Sequence, residues 1–213
     1  ILTNPTNPSN SSGATFTFSG TDSLGIPSIT FECKIDGGSF ATCTSPQSYT
    51  GLADGSHTFL VRSVDTVGNV DPTPASYTWA VDTVAPTASL DTLPPNPSNS
   101  SSATFAFSAI DPAPASGVAG FQCQLDAGAF AACTSPVNLT GLSQGSHTFT
   151  VKATDAAGNT SVPTFFTWSV DAVAPDTQIL TNPPDPSASS SATFTFTGTD
   201  SAMAAVASFE CKL

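Results

Sequence analysis

The stretch that decides the fold is Gly51-Leu52-Ala53-Asp54-Gly55-Ser56-His57-Thr58-Phe59, which returns as Gly141-Leu142-Ser143-Gln144-Gly145-Ser146-His147-Thr148-Phe149. In each copy a turn signal leads into a run in which apolar and polar residues alternate. His57, Phe59 and Val61 face one way in that run, and the residues between them face the other. A period of two is the spacing of a β-strand with one wet face. The chain therefore repeats a unit made of strands.

The repeat has a period of about 89 residues. Three similar segments mark the starts of its copies: Ile1-Leu2-Thr3, Leu90-Asp91-Thr92 and Ile179-Leu180-Thr181. We expect two complete repeats at residues 1–86 and 87–175, and the N-terminal part of a third at residues 176–213. About seven short strands per repeat predict an all-β fold of antiparallel sandwiches. Because the linkers are short and end in Pro86 and Pro175, the sandwiches should be arranged as beads in a rod.

Several further strings recur in both complete copies. They are Phe-x-Cys followed ten residues later by Cys-Thr-Ser-Pro, then Gly68-Asn69 and Gly158-Asn159, then linkers of the form Val-Asp-x-x-Ala-Pro. Together with the opening stretch, this pattern resembles the tandem Ig-like and fibronectin-type-III-like repeats of bacterial surface proteins. The resemblance implies stalks, spacers, adhesin arrays or accessory modules of secreted enzymes, and the fold does not select among them.

The charge balance excludes two classes of partner. Four Lys and Arg stand against 16 Asp and Glu, for a net charge of -12. Nucleic-acid binding requires cationic side chains that neutralise phosphates, and anionic lipid surfaces attract the same residues. No apolar run approaches the roughly 18 residues of a membrane span. We therefore expect no nucleic-acid partner and no membrane insertion in this segment.

The cysteines indicate the compartment. Cys33 and Cys43 flank a turn centred on Gly38, and Cys123 and Cys133 repeat the arrangement, so each pair is predicted to lie directly opposite across a hairpin and to form a disulfide. Two free buried thiols per repeat are the alternative. The fifth, Cys211, matches Cys33 and Cys123, and its expected partner would lie ten residues further on, beyond Leu213, so we interpret it as the first cysteine of a truncated pair and not as a reactive thiol. Disulfides imply an oxidising environment, so we expect a segment of a longer polypeptide that is extracellular or on the cell surface.

No catalytic set is predicted, so we expect the chain not to be an enzyme. Asp54, Ser56 and His57 suggest a hydrolase only superficially, since Gln144 replaces the aspartate in the second repeat and the histidines share the inward strand face. Both histidines are predicted to bond backbone groups around a turn. Trp79 and Trp168 are predicted to be core residues. No cofactor is required on this interpretation.

The acidic residues are the candidate site. Most lie in turns, and in a fibronectin-like topology the loops after the second and sixth strands meet the incoming linker at one end of each repeat. Clustered Asp and Asn oxygens suit Ca²⁺, and the resemblance to bacterial repeat arrays favours calcium at repeat junctions. The alternative is that Asp and Asn simply favour turns by bonding their own backbone. The candidate ligands, grouped by repeat, are Asp22, Asp65 and Asn69; Asp82, Asp111, Asp155 and Asn159; and Asp171 and Asp200.

The leading functional hypothesis is a structural repeat segment of an exported bacterial surface or extracellular protein, as an adhesin stalk or the building block of a surface filament. Its partners would be neighbouring repeats of the same chain, and the partial third repeat raises self-assembly into filaments by strand addition. The alternatives are a ligand-binding adhesin module and an accessory domain of a secreted hydrolase.

Overall fold

A computed structural model describes residues 1–21, 29–200 and 205–212. All regular structure in these ranges is β-strand, and they contain no helix that is long and apolar enough to cross a membrane. The strands are β1 Ala14–Phe16, β2 Ile29–Ile35, β3 Ala41–Cys43, β4 Gln47–Tyr49, β5 Gly55–Asp65, β6 Ala75–Val81, β7 Thr87–Thr92, β8 Ala103–Ile110, β9 Val118–Leu125, β10 Ala131–Cys133, β11 Val137–Leu139, β12 Gly145–Asp155, β13 Thr164–Val170, β14 Asp176–Thr181 and β15 Thr195–Thr199.

The chain divides into two compact units whose boundaries differ from those of the sequence repeats. The first unit consists of Ile1–Ala88, Ala109–Phe121 and Lys152–Pro163. The second unit consists of Ser89–Ser108, Gln122–Val151 and Thr164–Leu213. The predicted repeat boundaries at 86 and 175 stay predictions.

The first repeat is a sandwich of two antiparallel sheets. Strands β3, β2, β5 and β6 form the larger sheet in that order, and β1 pairs with β4 in the smaller one. An isolated bridge between Thr3 and Thr17 stands where an additional edge strand of the smaller sheet would run. The strand order and the all-β content confirm the predicted fold class.

Alternating apolar residues from the two sheets meet in the core of the first repeat. The rings of Phe16 and Phe59 are stacked with centroids 4.1 Å apart, and Trp79 meets Phe16 edge-on at 5.2 Å. All three side chains are fully buried, as predicted for Trp79. Burial of such aromatic side chains is the largest favourable contribution to the folding of a unit this small.

The second repeat uses the same arrangement with a complete set of seven strands. Strands β10, β9, β12 and β13 form one sheet, and β11, β8 and β7 form the other. Phe105 stacks on Phe149 with centroids 4.3 Å apart, and Trp168 lies 5.1 Å from Phe105. Each residue of this core stands where its counterpart stands in the first repeat.

A short segment near the start of each complete repeat, here called the strap, pairs with the edge strand that ends the repeat. Ser9 donates its N–H to the carbonyl of Ala80 at 2.9 Å and accepts the N–H of Asp82 at 2.9 Å. Ser98 makes the same pair of bonds with Ser169 and Asp171, each 2.8 Å long. Both straps run parallel to the strand that they cover. The last strand of each repeat is therefore tied to the start of that repeat.

Both predicted disulfides form, but the cysteines of the first pair are not directly opposite each other in their hairpin. Cys33 faces Ala41 and Cys43 faces Phe31, so Cys33 and Cys43 are diagonal neighbours with Cα atoms 5.8 Å apart. The N–H of Gly38 bonds the Ile35 carbonyl and tightens the turn, which moves the centre of the hairpin from residue 38 to residue 37. The Cys123–Cys133 bridge has the same Cα separation. The predicted centre of the hairpin was therefore wrong by one residue, and Cys33 faces residue 41 instead of residue 43.

The third repeat contributes a two-stranded sheet in the described residues. Strand β14 pairs with β15, and the register shifts between Ile179 and Thr181. The Phe196 ring packs on Phe209 at 4.9 Å. Cys211 is an exposed free thiol.

Candidate metal centre

Asp82 follows directly on strand β6 and is almost completely buried, with 1% of its surface exposed. Its Oδ2 accepts the N–H of Ser116 at 2.8 Å, and its Oδ1 accepts the N–H of Val84 at 3.2 Å. Burial raises the pKa of this carboxyl, but the bonds from Ser116 and Val84 outweigh burial and hold the pKa below its usual value. Asp82 is therefore a buried carboxylate that stays ionised.

Asp111 follows strand β8 and presents one oxygen without a partner. Gly117 adopts a φ of +88°, which favours glycine, and donates its N–H to Oδ2 of Asp111 at 2.7 Å. The Oδ1 atom of Asp111 is buried and accepts no hydrogen bond. A buried polar atom without a partner is costly, so this oxygen is the atom for which a cation would supply the missing interaction.

Asp155 ends strand β12 and is 2% exposed. Its Oδ1 accepts the N–H groups of Gly158 and Asn159 at 2.7 and 2.8 Å, and its Oδ2 accepts the side-chain amide of Asn159 at 2.8 Å. The same amide nitrogen donates to the Asp82 carbonyl at 2.7 Å. Asn159 thus ties Asp155 to Asp82 with donor groups, where the sequence predicted an oxygen ligand.

The three carboxyl groups converge. One oxygen from each of Asp82, Asp111 and Asp155 lies within 4.8 Å of the other two. Like charges at this separation repel each other in a partly buried site, and a divalent cation removes that repulsion. Carboxylate oxygens together with nearby backbone carbonyls are the donor set that Ca²⁺ takes. All three residues belong to the first compact unit.

The candidate ligands of the first repeat are arranged differently. Asp65 accepts the N–H groups of Val67 and Asn69 and the side-chain amide of Asn69, so the pair closes its own loop. The side-chain amide of Asn69 is the first cause that lowers the pKa of Asp65. Asp22 lies outside the described residues. Across the described ranges, Asp65 joins no group of three converging ligands, and turn bonding accounts for this loop.

The candidates of the third repeat are Asp171 and Asp200. Asp171 accepts the N–H of Val173 at 3.4 Å, and Asp200 is half-buried. Neither enters a group of three converging ligands among residues 1–21, 29–200 and 205–212. The structure thus brings together the set predicted for the second repeat.

The groups that position the carboxylates were not predicted from the sequence. Ser116 bonds Asp82 through its N–H, and its hydroxyl oxygen accepts the N–H of Ala157 at 3.2 Å. Gly117 could have been found from the sequence, because a glycine six residues after Asp111 indicates a turn. Such a turn can bring a backbone N–H back to the aspartate. Nothing in the sequence marks Ser116 itself.

The strand order of the complete repeats is that of a fibronectin-type-III-like or Ig-like sandwich, which confirms the predicted resemblance at the level of the fold. The chain is similar to the fibronectin(III)-like modules of CbhA from Clostridium thermocellum, with 17% identity and a TM-score of 0.47 over 78% of this chain and 90% of that one.

Two other solved structures are also similar. The FN1–FN3 domains of chicken CNTN1 show 14% identity and a TM-score of 0.40 over 79% of this chain and 65% of that one. A tetra-tandem repeat in the extending region of a large adhesion protein shows 21% identity and a TM-score of 0.30 over 83% of this chain and 50% of that one. No protein-family model and no curated protein matches the sequence.

Proposed function

We propose that this chain is a structural repeat segment of an exported bacterial surface or extracellular protein, as an adhesin stalk or surface-filament building block, and that it has no catalytic role. The observation that carries the proposal is the duplication of one core. Phe16, Phe59 and Trp79 are matched by Phe105, Phe149 and Trp168 in burial and in ring geometry. Two repeats that pack the same side chains in the same way lengthen a protein, and their duplicated cores supply no additional catalytic or binding site.

An exchange of repeats in the parent protein tests this role. Replacing residues 1–86 by a second copy of residues 87–175 should leave adhesion or assembly unchanged, while deleting one repeat should shorten the reach of the parent protein. A ligand-binding module would instead lose binding on exchange, because its site belongs to one repeat. Loss of binding with reach preserved contradicts the spacer role.

The disulfides support export. Cys33–Cys43 and Cys123–Cys133 each close a hairpin, and such bonds persist in oxidising compartments. Alkylation of the unfolded protein, isolated from its source without reductant, should leave Cys33, Cys43, Cys123 and Cys133 unlabelled. Labelling of these four cysteines contradicts export.

We further propose that Asp82, Asp111 and Asp155 hold Ca²⁺ and that the ion stiffens the junction between the first two sequence repeats. Asp82 stands at the end of the first repeat, whereas the other two follow strands of the second. The buried, unpartnered Oδ1 of Asp111 supports this proposal. A cation that binds three residues from two repeats restrains both together.

Calcium titration with two matched variants tests the site. Saturation with Ca²⁺ at 100 times its Kd stabilises a folded protein by about 2.7 kcal/mol, so the melting temperature of the wild type should rise and chelator should reverse the rise. The Asp111→Asn variant should lose this response. In chelator the same variant should be at least as stable as the wild type, because it removes one of three repelling charges.

The control is Asp185→Asn, which removes the same charge from an exposed residue of the third repeat. This variant should respond to Ca²⁺ like the wild type. An unchanged melting temperature of the wild type with and without chelator contradicts the calcium site. Equal loss of the response in both variants points to diffuse charge screening.

Self-assembly by strand addition is proposed at the third repeat. Phe194 and Phe196 are 45% and 39% exposed, so the described sheet offers apolar surface of the kind that interaction sites use. Light scattering across a dilution series should show association that Phe194→Ser abolishes. A monomer at every concentration contradicts this part of the proposal.

A further inference from the structure

In both histidines, each of the two ring nitrogens faces an oxygen atom that accepts hydrogen bonds. His57 places Nδ1 2.8 Å from Oδ2 of Asp36 and Nε2 2.7 Å from the carbonyl oxygen of Ala53. His147 places the same atoms 2.9 Å from Oδ2 of Asp126 and 2.9 Å from the carbonyl oxygen of Ser143. A carbonyl oxygen and a carboxylate oxygen accept hydrogen bonds and donate none. Both contacts are therefore bonds only if the ring donates twice.

Each histidine links three segments of its repeat. Asp36 and Asp126 lie in the hairpin turn between the disulfide-bonded strands and adopt φ of 51° and 53°. Their second oxygens accept the N–H of Thr58 and of Thr148, each at 2.8 Å. The histidine side chain joins this turn to the loop that precedes strand β5 or β12. We call this link between histidine, aspartate and loop carbonyl the histidine staple. It occurs once in each compact unit and uses the same atoms in both.

We infer that His57 and His147 are imidazolium staples, so that both repeats are most stable at mildly acidic pH and loosen at this link as the pH rises. Loss of one ring proton leaves two lone pairs facing each other across 2.7 Å or 2.9 Å. That contact is repulsive, and the ring must then release either the loop or the turn.

Few other charged groups face either ring. Besides Asp36, His57 meets the Trp79 ring of strand β6 at 5.6 Å and the neutral Ala53 carbonyl. Asp54 is adjacent to Ala53, and its Oδ1 is occupied by the N–H and the hydroxyl of Thr83. His147 meets Trp168 at 5.6 Å, and the neutral Gln144 stands where Asp54 stands in the first repeat.

The pKa directions agree with the geometry. Burial lowers the pKa of His57, but the Ala53 carbonyl and Asp36 together raise it above its usual value. For His147 the Ser143 carbonyl is the largest cause, followed by Asp126, and the pKa is again raised. A histidine with a raised folded-state pKa stabilises the protein fully below about 6.5, the usual pKa, and this stabilisation is lost as the pH rises through the folded-state pKa.

The aspartate partners of the histidines, Asp36 and Asp126, set the lower end of the pH range in which the staples stabilise the protein. Burial raises the pKa of Asp36 and of Asp126, but the bonds from the histidine and from the threonine N–H lower it overall. A lowered carboxyl pKa stabilises the folded state above about 4, the usual value, and this contribution is lost as the pH falls through the folded-state pKa. The staples are thus strongest between about pH 4 and 6.5.

One residue makes the two staples differ. The hydroxyl oxygen of Ser143 lies 3.4 Å from Nε2 of His147, whereas Ala53 has no hydroxyl group. On deprotonation the Ser143 hydroxyl can donate to the bare nitrogen and stabilise the neutral ring. His57 should therefore titrate at a higher pH than His147.

The test is an NMR titration of both rings in the complete 213-residue chain, with nitrogen-15 shifts as the readout of ring protonation. Both pKa values should exceed 6.5, and each unit of elevation should raise the unfolding equilibrium constant tenfold across the alkaline limb. Ala53→Ser should lower the His57 pKa, and Ser143→Ala should raise the His147 pKa. The exposed neighbour Ser146→Ala is the matched control and should change neither pKa.

These measurements can overturn the inference without depending on a damaging variant. Wild-type rings that are neutral at pH 6 would refute the double donation. A stability profile that stays flat from pH 6 to 9 would refute the staple as a stabilising link. Reciprocal variants that shift neither pKa would refute the role of Ser143.

Discussion

The second and third repeats place nearly the same five-residue string in two different environments. Ala103-Thr104-Phe105-Ala106-Phe107 and Ala192-Thr193-Phe194-Thr195-Phe196 share their apolar alternation. Phe105 is fully buried, whereas 45% of Phe194 is exposed. The difference comes from the opposite sheet, which supplies Phe149 and Trp168 in the second repeat. Alternation thus decides which face of a strand is apolar, and burial requires a second sheet to cover that face.

The largest difference in the free energy of unfolding is expected when the buried Phe105 is replaced. Phe105→Ala should lower the free energy of unfolding by about 3–5 kcal/mol, because it leaves a cavity between two packed sheets. In solutions too dilute for association, Phe194→Ala should change it by less than about 1 kcal/mol, because 45% of this side chain is already exposed. Urea unfolding in a Trp79→Phe background, followed by the fluorescence of Trp168, measures both. Equal losses from the two variants would mean that the third repeat is covered in solution.

The next contrast concerns the cysteines. Replacing both Cys123 and Cys133 by Ser should cost about 2–3 kcal/mol, since the denatured chain regains the freedom that the short loop removed. Cys211→Ser should have no measurable effect, because this thiol is exposed and unbridged. Thermal unfolding of both variants without reductant checks the prediction. A double variant as stable as the wild type would show that hairpin hydrogen bonds alone hold this region.

The smallest difference in stability is expected at Asn96, which lies two residues before Ser98 of the strap. Oδ1 of Asn96 accepts the N–H of Ser169 at 3.1 Å, and Asn96→Ala should cost about 0.5–1.5 kcal/mol, the usual net value of one such bond. Asn96 and Asp185, its counterpart in the third repeat, are both exposed, and Asp185→Ala should stay within about 0.5 kcal/mol. Hydrogen exchange at the Ser169 amide reports directly on the bond. Faster exchange there in Asn96→Ala, and unchanged exchange in Asp185→Ala, is the expected pattern.

Much of the fold was predictable because it follows from local patterns. The period of two located the strands around Phe16, Phe59 and Trp79, and the 89-residue spacing located their counterparts. The hairpin register was predicted wrongly because it depends on where the turn closes. The bond from Gly38 to Ile35 is a backbone choice that the string Asp-Gly-Gly leaves open.

The candidate site was predictable only in part. Topology was enough to place Asp82, Asp111 and Asp155 together, because each of them directly follows or ends a strand. The roles of Ser116 and of the Ser143 hydroxyl could not be predicted, since each contact joins residues through the exact path of a loop. The histidine staples were anticipated only as backbone bonds near a turn, and their aspartate partners lie 21 residues away along the chain.

The straps of Ser9 and Ser98 also affect how neighbouring repeats avoid misassembly and aggregation. Strands β6 and β13 lie at sheet edges, and an uncovered edge is a template for pairing with any similar strand. In a chain of similar domains the neighbouring copy is the nearest such strand, and misassembly between neighbours is a known failure of repeat proteins. By pairing Ser9 with Val81 and Ser98 with Val170, each complete repeat engages backbone groups at the end of its own last strand that a neighbouring copy could otherwise bind during folding.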